Sequence, residues 1–507
     1  MPTALSWHLS SNHAESNLCA IYSSVTALRS KLVSALIFLG IAVFPAILLA
    51  QTPSDLPAAA NPDAQSQTTS PLDPPPPRGS EGAILTVFPH SESSPFWISG
   101  QLNFIFQGHP AFTSPYQGPH SLQHNSETRL SRVLTLYTGW RTSSSTEFLL
   151  DFESAGGRGI SDAFGLAGYA NLDVVRNPEL GPTPYIARGI FHAVLALSSD
   201  RQDAERNPLS LFTSLPVRRL EFRFGRFSLA DFFDTNSAGS DSHLQFMNWT
   251  IDNNGAYDYA ADTRGYTVGA MLDFEDKNYG LRFAETLMPR VANGIAFQWN
   301  LERARAENIE LELRPKLVAK RATIFRLLSY VNHADMGDYR VTIRQFEEGQ
   351  TSVPDITHHP LQTTIKYGFG ANVEQPITDW MSGFARFGWN EGRHESFVYT
   401  EVNQSIHFGA VARGKIWRRK FDRSGVAFVS NALSGDHRRY LQLGGLGFLL
   451  GDGTLTYARE KIVEGFYTTH LWRGTFFSFD LQHVNNPAYN QARGPVIIPA
   501  VRLHVEL

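Results

Sequence analysis

A chain of 507 residues with 44 Lys and Arg against 48 Asp and Glu carries a formal charge of −4 and has no long basic run, which argues against nucleic acid as a partner. It exceeds the usual size of one hydrophobic core, so several domains or one large closed barrel must account for it. The single cysteine, Cys19, lies in the first fifty residues, which removes disulfides and thiolate sites from the remainder.

Arg29 and Lys31 precede an uncharged apolar run, Leu32–Ala50, that ends on a small residue. This reads as a secretory signal peptide within a leader over residues 1–50. An uncleaved membrane anchor is the other reading of the same run. Residues 51–82, dense in Pro, Ala and Ser and including Asp73–Pro77, cannot bury enough apolar surface to fold and are expected to be a linker. Residues 83–507 are expected to form one domain.

From Phe96 onward a two-residue period takes over. Phe96, Ile98, Leu102, Phe104 and Phe106 fall on one side, with Ser99, Gln101, Asn103 and Gln107 opposite. The stretches 146–154, 366–374 and 477–482 repeat the arrangement. This is the period of strands, and no comparable helix is predicted after residue 90.

Sixteen such segments are predicted, near 94–107, 128–141, 146–154, 185–199, 217–227, 265–275, 278–286, 306–315, 321–332, 363–375, 381–391, 403–414, 424–432, 457–470, 475–485 and 495–507. Connections after even-numbered segments are mostly tight, as at 142–145, 276–277, 376–380 and 472–474. Those after odd-numbered segments are mostly long, notably 155–184, 228–264 and 333–362. Short turns on one rim and long loops on the other describe an outer-membrane barrel.

A β-sandwich or solenoid would share the periodicity. The polar rows decide between them, because they carry Arg223, Arg282, Arg386, Arg413, Arg502, Asp151, Glu464 and Asp480 at strand centres, while the apolar rows carry almost no charge. Charge inside and hydrocarbon outside suit a wet lumen in a membrane. The expected fold is therefore all-β: a closed antiparallel transmembrane β-barrel of about 16 strands, with short periplasmic turns and long extracellular loops. The last strand, Ala500–Leu507, closes it, with Val501, Leu503, Val505 and Leu507 toward lipid and Arg502, His504 and Glu506 toward the lumen.

Several long stretches, Gly225–Asn236, Phe246–Ala270, Tyr367–Gly392 and Val484–Pro495, give the chain a family likeness. Over about residues 95–507 it resembles the carbohydrate-selective porins of Gram-negative outer membranes, the OprB type. The resemblance implies a sixteen-stranded barrel through which sugars diffuse, needing no cofactor and no chemistry. It also implies outer-membrane lipid around the barrel and recognition of the C-terminal strand by the barrel assembly machinery. Such barrels usually end in an aromatic residue, whereas this chain ends in Leu507.

A pore favouring sugars needs guanidinium and carboxylate groups for the hydroxyls and aromatic faces for the ring. The connection 228–264 supplies Asp231, Asp234, Trp249, Tyr257, Asp258, Tyr259 and Arg264, and Arg223 and Arg226 lie on the strand before it. The expectation is that this loop folds inward and narrows the lumen, facing both arginines. The same residues could instead cap the rim and satisfy loop backbone.

Other signals point elsewhere. Gly451–Gly453 and Gly156–Gly159 lack the spacing of phosphate or metal loops and read as turns. His358 and His359 have no third ligand in sight, and Asp231, Asp234 and Asp258 could chelate calcium but equally suit a mixed-charge pore. No catalytic residue, metal or cofactor is expected. A barrel lipid hydrolase would need a Ser–His pair on a lipid-facing row or the outer rim, and none is found; a barrel that only anchors adhesive loops is the remaining alternative.

Overall fold

The computed structural model describes residues 85–174, 180–318 and 321–507. The leader and the linker therefore lie outside the described residues.

Among the described residues, eighteen strands follow in chain order. They are β1 (Phe96–His109), β2 (Glu127–Arg141), β3 (Thr146–Gly157), β4 (Tyr185–Ala196), β5 (Arg201–Asp203), β6 (Ser214–Pro216), β7 (Arg219–Phe227), β8 (Thr267–Glu275) and β9 (Tyr279–Thr286). The rest are β10 (Arg305–Leu313), β11 (Ile324–Ala334), β12 (Thr364–Pro376), β13 (Met381–Asn390), β14 (Gln404–Arg413), β15 (Arg423–Ala432), β16 (Glu460–Trp472), β17 (Thr475–Asn485) and β18 (Val496–Glu506).

Sixteen of them form one closed antiparallel barrel, and β5 and β6 make a separate hairpin in the β4–β7 connection. That hairpin accounts for the unusual length of this short-rim connection. β18 pairs with β1, setting Gln101 opposite Glu506 and Gln107 opposite Ala500. Closure leaves no strand edge in hydrocarbon, where an unpaired amide has no water to turn to. The terminal strand alternates as expected: Ile497 and Leu503 are exposed outward, while Arg502 and His504 are fully buried inward.

Three expectations are corrected. Helices do occur, at Trp249–Asp252, Tyr339–Glu347 and Gly435–Gln442, all in long loops. The last two pack together through Tyr339 and Tyr440, ring centroids 5.0 Å apart, and through Arg340 and Asp436 at 2.8 Å. Arg413 is the last residue of β14, not a strand-centre residue. The outward rows also hold more charge than expected. Arg132, Arg305, Glu307 and Lys461 fall on them, each toward the end of its strand that meets a long loop. Near an interface such groups cost about 0–1 kcal/mol, against about 2–4 at the midplane.

Candidate permeation site

The interior of the barrel is occupied by the connection from β7 to β8. β16 stands eight strands from β8 in the ring of sixteen, diametrically across the lumen. The connection reaches that far wall: the amides of Met247 and Asn248 donate to the Glu464 carboxylate at 2.6 and 3.2 Å. Arg502 on β18 donates to the carbonyls of Ser242 and Gln245 at 2.5 and 3.0 Å. On another wall the Asp234 amide donates to Glu310 at 2.6 Å, and Arg386 donates to the carbonyls of Ile251 and Asp252 at 3.0 Å each. Loop backbone needs partners once removed from water, and lumen-facing side chains supply them.

The seven candidate residues separate into two groups. Asp234, Trp249 and Asp258 are buried and spent on anchoring. Asp234 pairs with Arg386 at 3.1 Å. Trp249 stacks on Tyr399 at 5.6 Å and donates its indole N–H to the Asn171 carbonyl at 2.7 Å. Asp258 pairs with Lys366 at 2.9 Å and accepts the amides of Phe397, Val398 and Tyr399. Asp231 pairs with Arg188, so the three aspartates go to three different cations rather than to one centre. Tyr257 and Tyr259 are also buried, and the Tyr257 hydroxyl donates to Asn308 at 2.8 Å.

Arg223, Arg226, Asp231 and Arg264 belong to the second group, on the β3–β4–β7–β8 wall. Arg223 donates to Glu221 at 2.5 Å and lies 4.9 Å over the Phe232 ring, leaving Nε and Nη1 without a protein acceptor. Arg223 and Arg226 are an odd number of residues apart, so strict alternation would separate them. At Gly225 the backbone takes a φ of +132°, and a Cβ there would meet the Gly189 carbonyl oxygen at 2.0 Å. Beyond this irregularity Arg226 still reaches Asp262 of the loop at 2.6 Å.

Residues not singled out from sequence complete the cluster. Arg188 forks onto Asp231 with two bonds of 2.8 Å and reaches Asp151 at 3.1 Å. Tyr185 and Tyr266 both donate to Glu153, at 2.5 and 3.1 Å. The Arg264 guanidinium sits 3.9 Å over the Tyr185 ring, and Arg188 and Arg226 lie 5.7 and 5.6 Å from the Tyr266 ring. A cavity of about 140 Å³ opens here, lined by Ser131, Gly156, Pro182, Tyr185 and Arg264 among others. Tyr185 and Arg188 were hidden in the sequence because the register slips between Asp151 and Phe152 on β3 and their β4 partners, putting residues of opposite parity on one side. A patch of guanidinium, carboxylate and phenol groups around two rings matches the donors, acceptors and apolar faces of a sugar.

The loop has one charge switch. His243 lies 3.5 Å from Asp173 and stacks on His504 at 5.2 Å. Burial opposes its protonation, but the Asp173 and Asp241 carboxylates outweigh this and raise its pKa to about 9.

A closed sixteen-strand barrel with short turns on one rim, long loops on the other and a polar lumen defines an outer-membrane porin. The model of the carbohydrate-selective porin family, OprB, matches residues 120–507, and the chain belongs to that family. It is an outer-membrane channel for carbohydrates. Among solved structures, the high-pH structure of Pseudomonas putida OprB is similar at 13% identity, with a TM-score of 0.60 over 81% of this chain and 94% of that one. The outer membrane channel DcaP of Acinetobacter baumannii is similar at 9% identity, with a TM-score of 0.45 over 81% of this chain and 97% of that one. No curated protein matches the sequence.

Proposed function

We propose that mono- and oligosaccharides diffuse through a lumen narrowed by the β7–β8 loop, past the wall formed by Arg188, Arg223, Arg226, Asp231, Tyr185 and Arg264. The observation that carries this reading is the loop's course from β8 to Glu464 on the opposite wall. A solute crossing the barrel at that level must pass between loop and wall. There its hydroxyls exchange water for guanidinium and carboxylate groups already held in place, and its ring faces meet Tyr185 and Tyr266. Such contacts must stay weak and several, since one tight site would stop release.

Asp234, Trp249 and Asp258 act in this scheme by holding the loop, and the second group, buried Arg223 with half-buried Arg226, Asp231 and Arg264, acts on the solute. Residues 83–507 form the porin domain, preceded by a leader and a linker. The barrel assembly machinery reads the closing strand β18 despite its terminal Leu507.

Liposome swelling with the full chain tests the reading. Entry of glucose-sized sugars faster than amino acids of similar size is expected, with the preference lost when Arg188 and Arg264 are both replaced by Ala. Equal entry of both solute classes into wild-type liposomes would refute it.

A further inference from the structure

Two neighbouring cations on the lipid-facing wall of the barrel, Arg459 and Lys461, have no countercharge among the described residues. Arg459 immediately precedes β16 and Lys461 is its second residue, on either side of Glu460, which faces the lumen. Arg459 is built into place on the outside: it donates to Ser430 Oγ at 2.8 Å, the Ser430 carbonyl at 2.9 Å and Gln404 Oε1 at 2.6 Å. Lys461 is exposed, sits between Ser430 and Asn485 in the strand registers, and makes no ion pair among the described residues. His483 and Asn485 extend the polar patch onto β17, 3.4 Å apart.

The contrast with Arg305 is informative. Arg305 is neutralised by Glu307 at 2.8 Å, and His333 also faces Glu307 at 3.3 Å. Arg459 and Lys461 have only neutral neighbours on their face, because Glu460 and Glu464 turn inward to loop amides. A fixed guanidinium beside a free ammonium, both donor-only groups, is the arrangement that recognises phosphate.

The patch lies on the rim that bears the long loops, which is the outer face of the membrane. At that level the surrounding lipid carries phosphate. We infer that Arg459 and Lys461, framed by Ser430, Gln404 and Asn485, form a site on the outer wall for the phosphate groups of lipopolysaccharide.

The test uses the full chain, purified in detergent and titrated with lipopolysaccharide bearing diphosphoryl lipid A while bound lipid is followed by native mass spectrometry. Lys461→Glu is the first variant, since the Lys461 side chain makes no hydrogen bond among the described residues whose loss could impair folding; heat-modifiable electrophoretic mobility checks the barrel. Removing one positive charge and adding a negative one is expected to weaken binding about thirtyfold. Arg459→Gln is expected to weaken it less, and Arg305→Gln not at all. Monophosphoryl lipid A is expected to bind more weakly than the diphosphoryl form. Equal binding by wild type and Lys461→Glu, equal binding of phosphatidylglycerol and lipopolysaccharide by wild type, or a change of oligomeric state in Lys461→Glu without a change in bound lipid would each overturn the proposal.

Discussion

Lys366 Nζ and Asp258 Oδ2 meet at 2.9 Å with both side chains withdrawn from solvent, and the same ammonium donates to the Glu395 carbonyl at 2.9 Å. Three segments converge there: the lumen loop, the β12 wall and the β13–β14 connection. Asp258→Asn would leave Lys366 buried without its countercharge, at a cost of about 3–5 kcal/mol. Equilibrium unfolding in urea with reconstituted protein should register the loss, together with new protease cleavage in residues 228–266. The double replacement Asp258→Asn, Lys366→Met should recover part of the stability.

Arg264 and Trp249 predict opposite phenotypes. Arg264 is half-buried over Tyr185 and lies on the proposed solute path, so Arg264→Ala should weaken sugar-dependent current block about tenfold with little change in unfolding. Trp249 is buried between Tyr399 and Tyr169, so Trp249→Ala should cost about 3–5 kcal/mol. Its signature in planar bilayers should be noisy, enlarged current rather than a selective change in sugar affinity.

The His243–Asp173 contact makes the loop sensitive to alkali. The folded pKa of about 9 lies above the ordinary histidine value of 6.5, so the stabilisation is fully present below 6.5 and is lost as pH rises through about 9. Hydrogen-exchange protection of residues 241–248, corrected for the intrinsic pH dependence, should therefore fall between neutral pH and pH 10. His243→Gln should flatten that profile.

Phe479, exposed on the outer face of β17, stands opposite Val501 of the closing strand. Phe479→Arg is expected to destabilise the barrel by about 2–4 kcal/mol. Folding yield into lipid vesicles measures this. Ser478, one residue away and facing the lumen beside Arg502, should tolerate Asn with a far smaller loss.

The barrel was legible because lipid outside and water inside impose one rule on every strand. The alternation at Phe96–Gln107 and Ala500–Leu507 states that rule without reference to distant residues. The β7–β8 loop was legible as a concentration of Asp, Arg and aromatic residues, but composition does not separate anchor from path. Asp258 and Arg264 look alike in a polar loop, and only Lys366 and Tyr185, contributed by strands far away in the chain, set their different tasks. Arg188 escaped notice because a register slip between β3 and β4 breaks the parity by which faces are read. The loop helices escaped because their stability comes from contacts such as Tyr339 with Tyr440, not from periodicity.

Single-channel current across a planar bilayer, recorded while a glucose-sized sugar is added, tests the central claim most directly. The account predicts reversible block that grows with sugar concentration in the wild type and disappears when residues 228–264 are replaced by a short Gly/Ser linker. An open-channel current indifferent to sugar, and unchanged by that replacement, would contradict it.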